Sequence, residues 1–308
     1  MQRTAPVFLG LLAGLCLSQV VAGAESKLPS SNLSAAQVVD KHIAARGGLA
    51  GWHGVQTLSV SGKMDAGTAD SAARSAVIAR GGTGASVRRA GSTMAPTDQS
   101  EKQQVQLPFR LEMKKPRKSR LEIDFAGKTA VQVYDGQNGW KLRPFLNRND
   151  VEPFSAQEAK SQTDKGDLEG PLVDYAAKGT KIAVEGMEPV EGHSAYKLKL
   201  TMKNGDVSHV WIDAQSFLDV KLEGIPRRMD GKMRKVWISQ RDFRPVQGLM
   251  VPFLYETAVE GSPQTHKMVV DTVAVNRPLE DSRFAKPQAP VADSPATPPA
   301  AAPKQASR

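Results

Sequence analysis

Residues 107–125 read LPFRLEMKKPRKSRLEIDF, and the reading of this stretch decides the fold. Leu107, Phe109, Leu111 and Met113 fall on one side of an extended chain, and Arg110, Glu112 and Lys114 on the other. The reason is that successive side chains of a strand point to opposite faces. Pro116 interrupts the run. The alternation then restarts, with Leu121, Ile123 and Phe125 against Arg120, Glu122 and Asp124. Two such strands predict an antiparallel pair with one face on a core and the other in water.

The same pattern continues outward. Gly127 turns into Thr129, Val131 and Val133, and Trp140 and Leu142 carry a further strand. Asp135-Gly136 and Asn138-Gly139 between them tolerate the positive φ of tight hairpin turns. From Lys181 strands follow in close succession. Ile182 and Val184 mark one; Tyr196, Leu198, Leu200 and Met202 mark another, with Lys197 and Lys199 facing out. Asn204-Gly205 turns into Val207–Ile212, and runs at 217–222, 232–243, 251–259 and 267–275 complete the series. In the middle, 155–164 and 167–178 read as short helices, Ser155 capping the first and Pro171 lying in the first turn of the second. Near the start, Ser34 and Gln37 form a capping box, and Ala35, Val38, Val39 and Ile43 recur at helical spacing until Gly47-Gly48. That apolar stripe is narrow, so this helix lies on the sheet. The stretch 64–104, rich in Gly, Ala, Ser and Thr, reads as a mobile loop insertion.

Arg3, the apolar run from Val7 to Leu17 and Ala22-Gly23-Ala24 predict a signal peptide over 1–24, with a linker over 25–32. Cleavage after Ala24 removes Cys16, the only cysteine, so no disulfide, thiolate nucleophile or cysteine metal ligand is expected in the mature chain. A large secreted chain without disulfides suits a bacterial periplasm. The domain is expected over 33–286, and 287–308, almost only Pro, Ala, Ser and a few charges, is expected to be disordered. The net charge of +9 favours anionic surfaces. Nucleic acid is not expected, because aromatic content is low and no base-stacking motif is present.

Motifs for chemistry are absent. Gly127-Lys128-Thr129 ends like a phosphate-binding loop, but Glu122 stands where that loop needs glycine. Gly82-Thr83-Gly84 lacks a third glycine, and no GxSxG elbow exists. The five histidines, His42, His53, His193, His209 and His266, are too far apart for a local metal pair. His42 is expected to pack on the sheet, and no carboxylate in the sequence marks His209 or His266 as a general base. Neither catalysis, a metal nor a cofactor is expected. Two basic clusters remain: Lys114, Lys115, Arg117, Lys118 and Arg120; and Arg227, Arg228, Lys232, Arg234 and Lys235 around Asp230-Gly231. Either could meet anionic headgroups or an acidic partner, or serve as solubilising charge that protects strand edges.

The chain resembles a known family in the run from Phe109 to Phe145: FRLEMKKPRKSRLEIDF, then VQVYDGQNGW, then KLRPF. Asp174-Tyr175 before Gly179, Tyr196-Lys197-Leu198, Trp211-Ile212-Asp213 before Phe217-Leu218, the segment from Val246 to Pro252 and the closing NRPLEDSRFAKP (276–287) extend the likeness over 33–287. The family is the bacterial outer-membrane lipoprotein-sorting proteins, the LolA-like periplasmic lipoprotein carriers. The resemblance implies an α+β, mostly antiparallel, unclosed half-barrel of about eleven strands, with helices covering its concave face. It also implies that lipid or lipoprotein acyl chains are carried toward the outer membrane. The expected partners are then such chains and inner- and outer-membrane transport components, for a monomeric carrier. An envelope stress sensor or adaptor with the same fold is the alternative. The expected cavity wall is Phe109, Leu111, Met113, Leu121, Ile123, Phe125, Leu198, Leu200 and Met202, with Arg117 and Arg120 as headgroup or partner contacts.

Overall fold

The computed structural model of the chain describes residues 33–68, 104–144, 148–165, 167–229 and 231–289. The expected signal peptide and linker, 69–103 of the expected insertion and the tail from 290 onward lie outside the described residues.

Helix α1 (Ala35–Ala45) begins as its sequence requires. The Gln37 amide donates to Ser34 Oγ at 3.3 Å, and the Ser34 amide donates to Gln37 Oε1 at 2.8 Å, so two otherwise orphaned N–H groups find acceptors. The helix stops at Gly47, whose φ of +107° few side chains adopt. A Cβ there would also lie 2.3 Å from the Gly248 carbonyl oxygen. A one-turn helix, α2 (Leu49–His53), follows directly and carries Trp52 inward. A third helix, α3 (Ala156–Lys165), lies where Ser155 was expected to cap it.

The strands are β1 (Thr57–Thr68), β2 (Gln104–Lys114), β3 (Lys118–Phe125), β4 (Lys128–Tyr134), β5 (Gly139–Arg143) and β6 (Arg148–Pro153), followed after α3 by β7 (Lys181–Val190), β8 (His193–Thr201), β9 (Val207–Asp213) and β10 (Asp219–Glu223). A small hairpin, β11 (Arg227–Met229) with β12 (Lys232–Arg234), precedes β13 (Val236–Val246), β14 (Leu249–Val259) and β15 (Thr265–Val275). Thirteen of them form one antiparallel sheet in the order β6-β5-β4-β3-β2-β1-β15-β14-β13-β10-β9-β8-β7. Two meanders therefore spread outward from the central β1–β15 pair, and the edges β6 and β7 do not meet. The sheet is an unclosed half-barrel.

Three local expectations are corrected. The sheet holds thirteen strands where about eleven were expected. One of the additions is β6 (RNDVEP), which has no apolar alternation to announce it. The segment 167–178 is a chain of turns, because Gly170 and Asp174 adopt φ of +87° and +53°, which a right-handed helix excludes. The insertion starts later than expected, since β1 pairs with β2 beyond Met64 and Asp65 accepts the Lys267 amide at 3.1 Å.

Register gives the sheet two different faces. Leu58, Val60, Phe109, Leu111, Leu121, Ile123, Val251, Phe253 and Val270 gather on the concave side into one cluster. Tyr196, Leu198, Leu200, Val210 and Ile212 form a second, against Val38, Val39 and Leu172. Burying a Leu side chain stabilises by roughly 1.5–3 kcal/mol, so Leu198 and Leu200, almost wholly buried, are major anchors of α1.

Val131 and Val133 do not join this side. Leu121 pairs with Gln132 and Ile123 with Ala130, so the two valines share the outer face with Arg120 and Glu122. Val133 is covered there by the C-terminal segment and its 3-10 turn (Asp281–Phe284), with Leu279 and Phe284 on Val133 and Trp140. Arg283 clamps that segment by donating to Glu112, a nearly buried carboxylate, at 2.7 and 2.9 Å.

Gly62 sits at the irregularity in the β1–β15 ladder, where a Cβ would lie 2.0 Å from the Val269 carbonyl oxygen. Gly62→Ala forces the two central strands apart and is expected to lower stability by about 2 kcal/mol or more, read as a fall in the urea unfolding midpoint.

Candidate functional site

The concave face can serve a ligand only where something apolar is not already satisfied by the protein's own cover. That cover has three parts. Helix α1 lays Val38, Val39, His42 and Ile43 on the sheet, and α2 adds Trp52. The third is the connection that runs from edge strand β6 to edge strand β7, whose turns bring Leu168, Leu172 and Val173 onto the same face. Ile43 touches both apolar clusters.

Between the clusters runs a polar seam. Arg46 lies over the Trp52 ring, 4.1 Å from its centroid, while Trp52 Nε1 donates to the Arg46 carbonyl at 3.0 Å. Arg46 Nη1 donates to the Glu169 carbonyl at 3.2 Å, tying the end of α1 to the turn segment. Its Nε stands 4.0 Å from Asp219 Oδ1, too long for a hydrogen bond, and both atoms are buried without a partner. Glu169 Oε2 is also buried without a hydrogen bond, with Lys115 Nζ at 3.4 Å. Unsatisfied buried polar groups destabilise by about 1–3 kcal/mol each, so the cover is held less tightly here than its apolar packing alone suggests.

His42 belongs to the same seam. It is buried, as expected, and its Nδ1 donates to the Phe217 carbonyl at 3.0 Å. Burial holds its pKa below the usual histidine value of 6.5, against the pull of nearby Asp219. Burial likewise pushes the Tyr255 hydroxyl up to about 12, with Asp219 adding to the rise, so it stays protonated. Neither Trp52, Asp219, Tyr255 nor the turn residues were singled out from sequence. A one-turn helix and a chain of turns have no periodicity to read.

The expected wall residues separate. Phe109, Leu198 and Leu200 are fully packed core. Leu111, Met113, Leu121 and Ile123 line the first cluster while staying partly exposed, and Phe125 continues their strand face with partial exposure. Met202 lies just past the end of β8 at Thr201, half-buried, where its amide donates to the Asp206 carbonyl and closes the hairpin.

Arg117 and Arg120 are both in use by the protein itself. Arg120 Nε pairs with Glu122 at 2.7 Å, and its Nη1 donates to the Arg283 carbonyl on the outer face. Arg117 lies 3.6 Å from Asp167. The lysines of that cluster are paired as well, Lys114 and Lys118 with Asp281 and Lys115 with Glu169. Two clefts of about 440 and 480 Å³ open beside this region, the first lined by residues such as Lys114, Asn276 and Glu280, the second by Glu122, Asp124 and Thr129 together with Val131 and Leu142.

His209 is a correction, because two carboxylates do flank it. Its Nδ1 lies 2.9 Å from Glu223 and its Nε2 3.2 Å from Glu185. Both nitrogens are occupied, so the ring lacks the free one a general base needs, and it forms a rung in a charge ladder with Lys197 and Lys199. Among the described residues, no group of three or more His, Cys, Asp or Glu is placed to hold a metal ion.

No family model and no curated protein sequence matches the chain. Solved structures do. A LolA superfamily protein from Nitrosomonas europaea superposes with a TM-score of 0.50 at 13% identity, covering 82% of this chain and 98% of that one. A DUF1329 family protein from Desulfovibrio piger gives 0.48 at 12% identity over 82% and 97%. A domain described as an outer membrane lipoprotein-sorting protein, from Vibrio parahaemolyticus, gives 0.47 at 12% over 81% and 95%. The fold of this chain is LolA-like.

Because His42 is held below its ordinary pKa, the unfolded chain takes up the proton first as pH falls. Its contribution to stability is therefore complete above about pH 6.5 and declines on acidification until the folded pKa is passed. Urea unfolding at pH 7 and pH 5 is expected to show a fall in stability that His42→Asn reduces. Equal falls in both proteins would contradict this assignment.

Proposed function

We propose that this chain is a periplasmic carrier that holds a lipid, or the acyl chains of a lipoprotein, against the concave face of its half-barrel and moves it toward the outer membrane. One observation carries the reading. The apolar face of an open sheet is covered by short pieces of chain, and its first cluster is left partly exposed at Leu111, Met113, Leu121 and Ile123. A soluble protein usually avoids large exposed apolar surface, so this region suits a guest that comes and goes. The signal-like N-terminus and the LolA-like fold point the same way.

The chemistry required is burial alone, without a bond made or broken. Each methylene taken from water contributes about 0.8 kcal/mol, so a handful of acyl carbons gives useful affinity. In this structure Trp52, Leu168 and Val173 occupy the deep part of the first cluster. Cargo entry therefore requires α2 and the turn segment to lift. Where Arg46 and Asp219 face each other without bonding, the cover has its weakest polar contact.

Native mass spectrometry of the gently purified protein is expected to show bound lipid. Leu111→Ser with Ile123→Ser, on partly exposed wall positions, is expected to weaken binding of a fluorescent long-chain fatty acid about 10-fold at unchanged far-UV circular dichroism. Empty protein that neither retains lipid nor takes up the probe would overturn the carrier reading. Empty protein that retains one protein partner would favour an adaptor.

A further inference from the structure

The two basic clusters of the sequence meet different fates. Lys114, Lys115, Arg117, Lys118 and Arg120 are all in ion pairs with Asp281, Glu169, Asp167 and Glu122. Arg227, Arg228, Lys232, Arg234 and Lys235 form no salt bridge with any described residue. Arg228 donates only to the Gly231 carbonyl, and the Lys235 amide to Glu260 at the hairpin's base. The cluster occupies β11 and β12, which pair with each other and with nothing else in the sheet. The hairpin leaves the sheet where the Gly224 amide donates to the Val236 carbonyl.

The hairpin's apolar side chains are unusual. Among the described residues five large hydrophobics are exposed, and two of them, Met229 at 38% and Met233 at 50%, lie within this one short element. Scattered exposed hydrophobics need no explanation; two on one cationic hairpin do. Register sets them on opposite faces, since Met229 pairs with Lys232 and Met233 with Arg228. Both methionines are exposed, while Arg234 is half-buried and lies toward Gly261.

We propose that the β11–β12 hairpin is a docking element that enters the headgroup layer of an anionic phospholipid bilayer. A protein partner would cover one face of a hairpin and leave the other methionine in water. A bilayer interface surrounds the two inserted strands and accepts apolar side chains from both faces. Long Lys and Arg stems keep their charges at phosphate depth while their methylenes follow the methionines inward. The hairpin projects from the end of the sheet where Val236 pairs with Val259. The α1–α2 corner sits at the other end, where the Met250 amide donates to the Arg46 carbonyl, so docking keeps the cover away from the bilayer. This inference does not require the carrier reading.

The test is co-sedimentation of the full chain with phosphatidylglycerol-containing vesicles and with phosphatidylcholine vesicles. Binding is expected to the anionic vesicles only, and to weaken as salt rises. Each surface cation near an anionic membrane is worth roughly fivefold in affinity, so Arg227→Gln with Arg228→Gln and Lys232→Gln is expected to lower it about 100-fold. Met229→Ser with Met233→Ser is expected to lower it about 10-fold while keeping the salt dependence. Lys181→Gln with Lys203→Gln and Lys267→Gln removes three exposed cations elsewhere and is expected to change little. Absence of vesicle binding, loss equal in the last variant, or indifference to the hairpin variants would overturn the proposal. Lipid content measured in parallel by native mass spectrometry reports on the carrier reading separately.

Discussion

A sheet that does not close leaves one long apolar face to be covered, and most of this architecture follows from that constraint. The two edge strands, β6 and β7, are consecutive in sequence around a single helix and a run of turns. The chain must pass from one edge to the other, and the path across the concave mouth is where it can bury Leu168, Leu172 and Val173. Helices α1 and α2 enter the same mouth from the N-terminal side. The barrel is thus filled by its own connections.

The quality of that filling is uneven. On the inner face of β8 and β9 the apolar packing is tight, with Leu198 and Ile212 fully buried against Val38 and Val39. Around Arg46, Asp219 and Glu169 the fit is poorer, because charged groups are removed from water without finding good partners. The seam couples the end of α1, the turn segment and β10 through one guanidinium stacked on Trp52. Tight apolar packing and poorly matched polar contacts therefore occupy different parts of the same face.

The outer face follows a different logic. Its charges are largely paired across neighbouring strands, as in the ladder from Glu185 through Lys197 and His209 to Glu223. One apolar patch there, Val133 with Trp140, is sealed by Leu279 and Phe284, and Arg283 secures the seal through Glu112; a second gathers Ala195 and Trp211 with Val190 and Trp237. The β11–β12 hairpin stands apart from both arrangements, its cations forming no salt bridge among the described residues.

Much was legible in the sequence alone. Alternation in 107–125 determined the strand pair, the Ser34–Gln37 box determined where α1 begins, and Asn204-Gly205 determined a hairpin, because each depends on residues close in the chain. Which face each apolar residue serves was decided by tertiary pairing. Val131 and Val133 alternate like any core strand, and only their register against Leu121 and Ile123 sends them outward. Likewise nothing near Arg120 in sequence announces Arg283, and nothing near His209 announces Glu223. A strand's periodicity says that two faces differ. It takes the partner strand, chosen from far along the chain, to say which of them is inside.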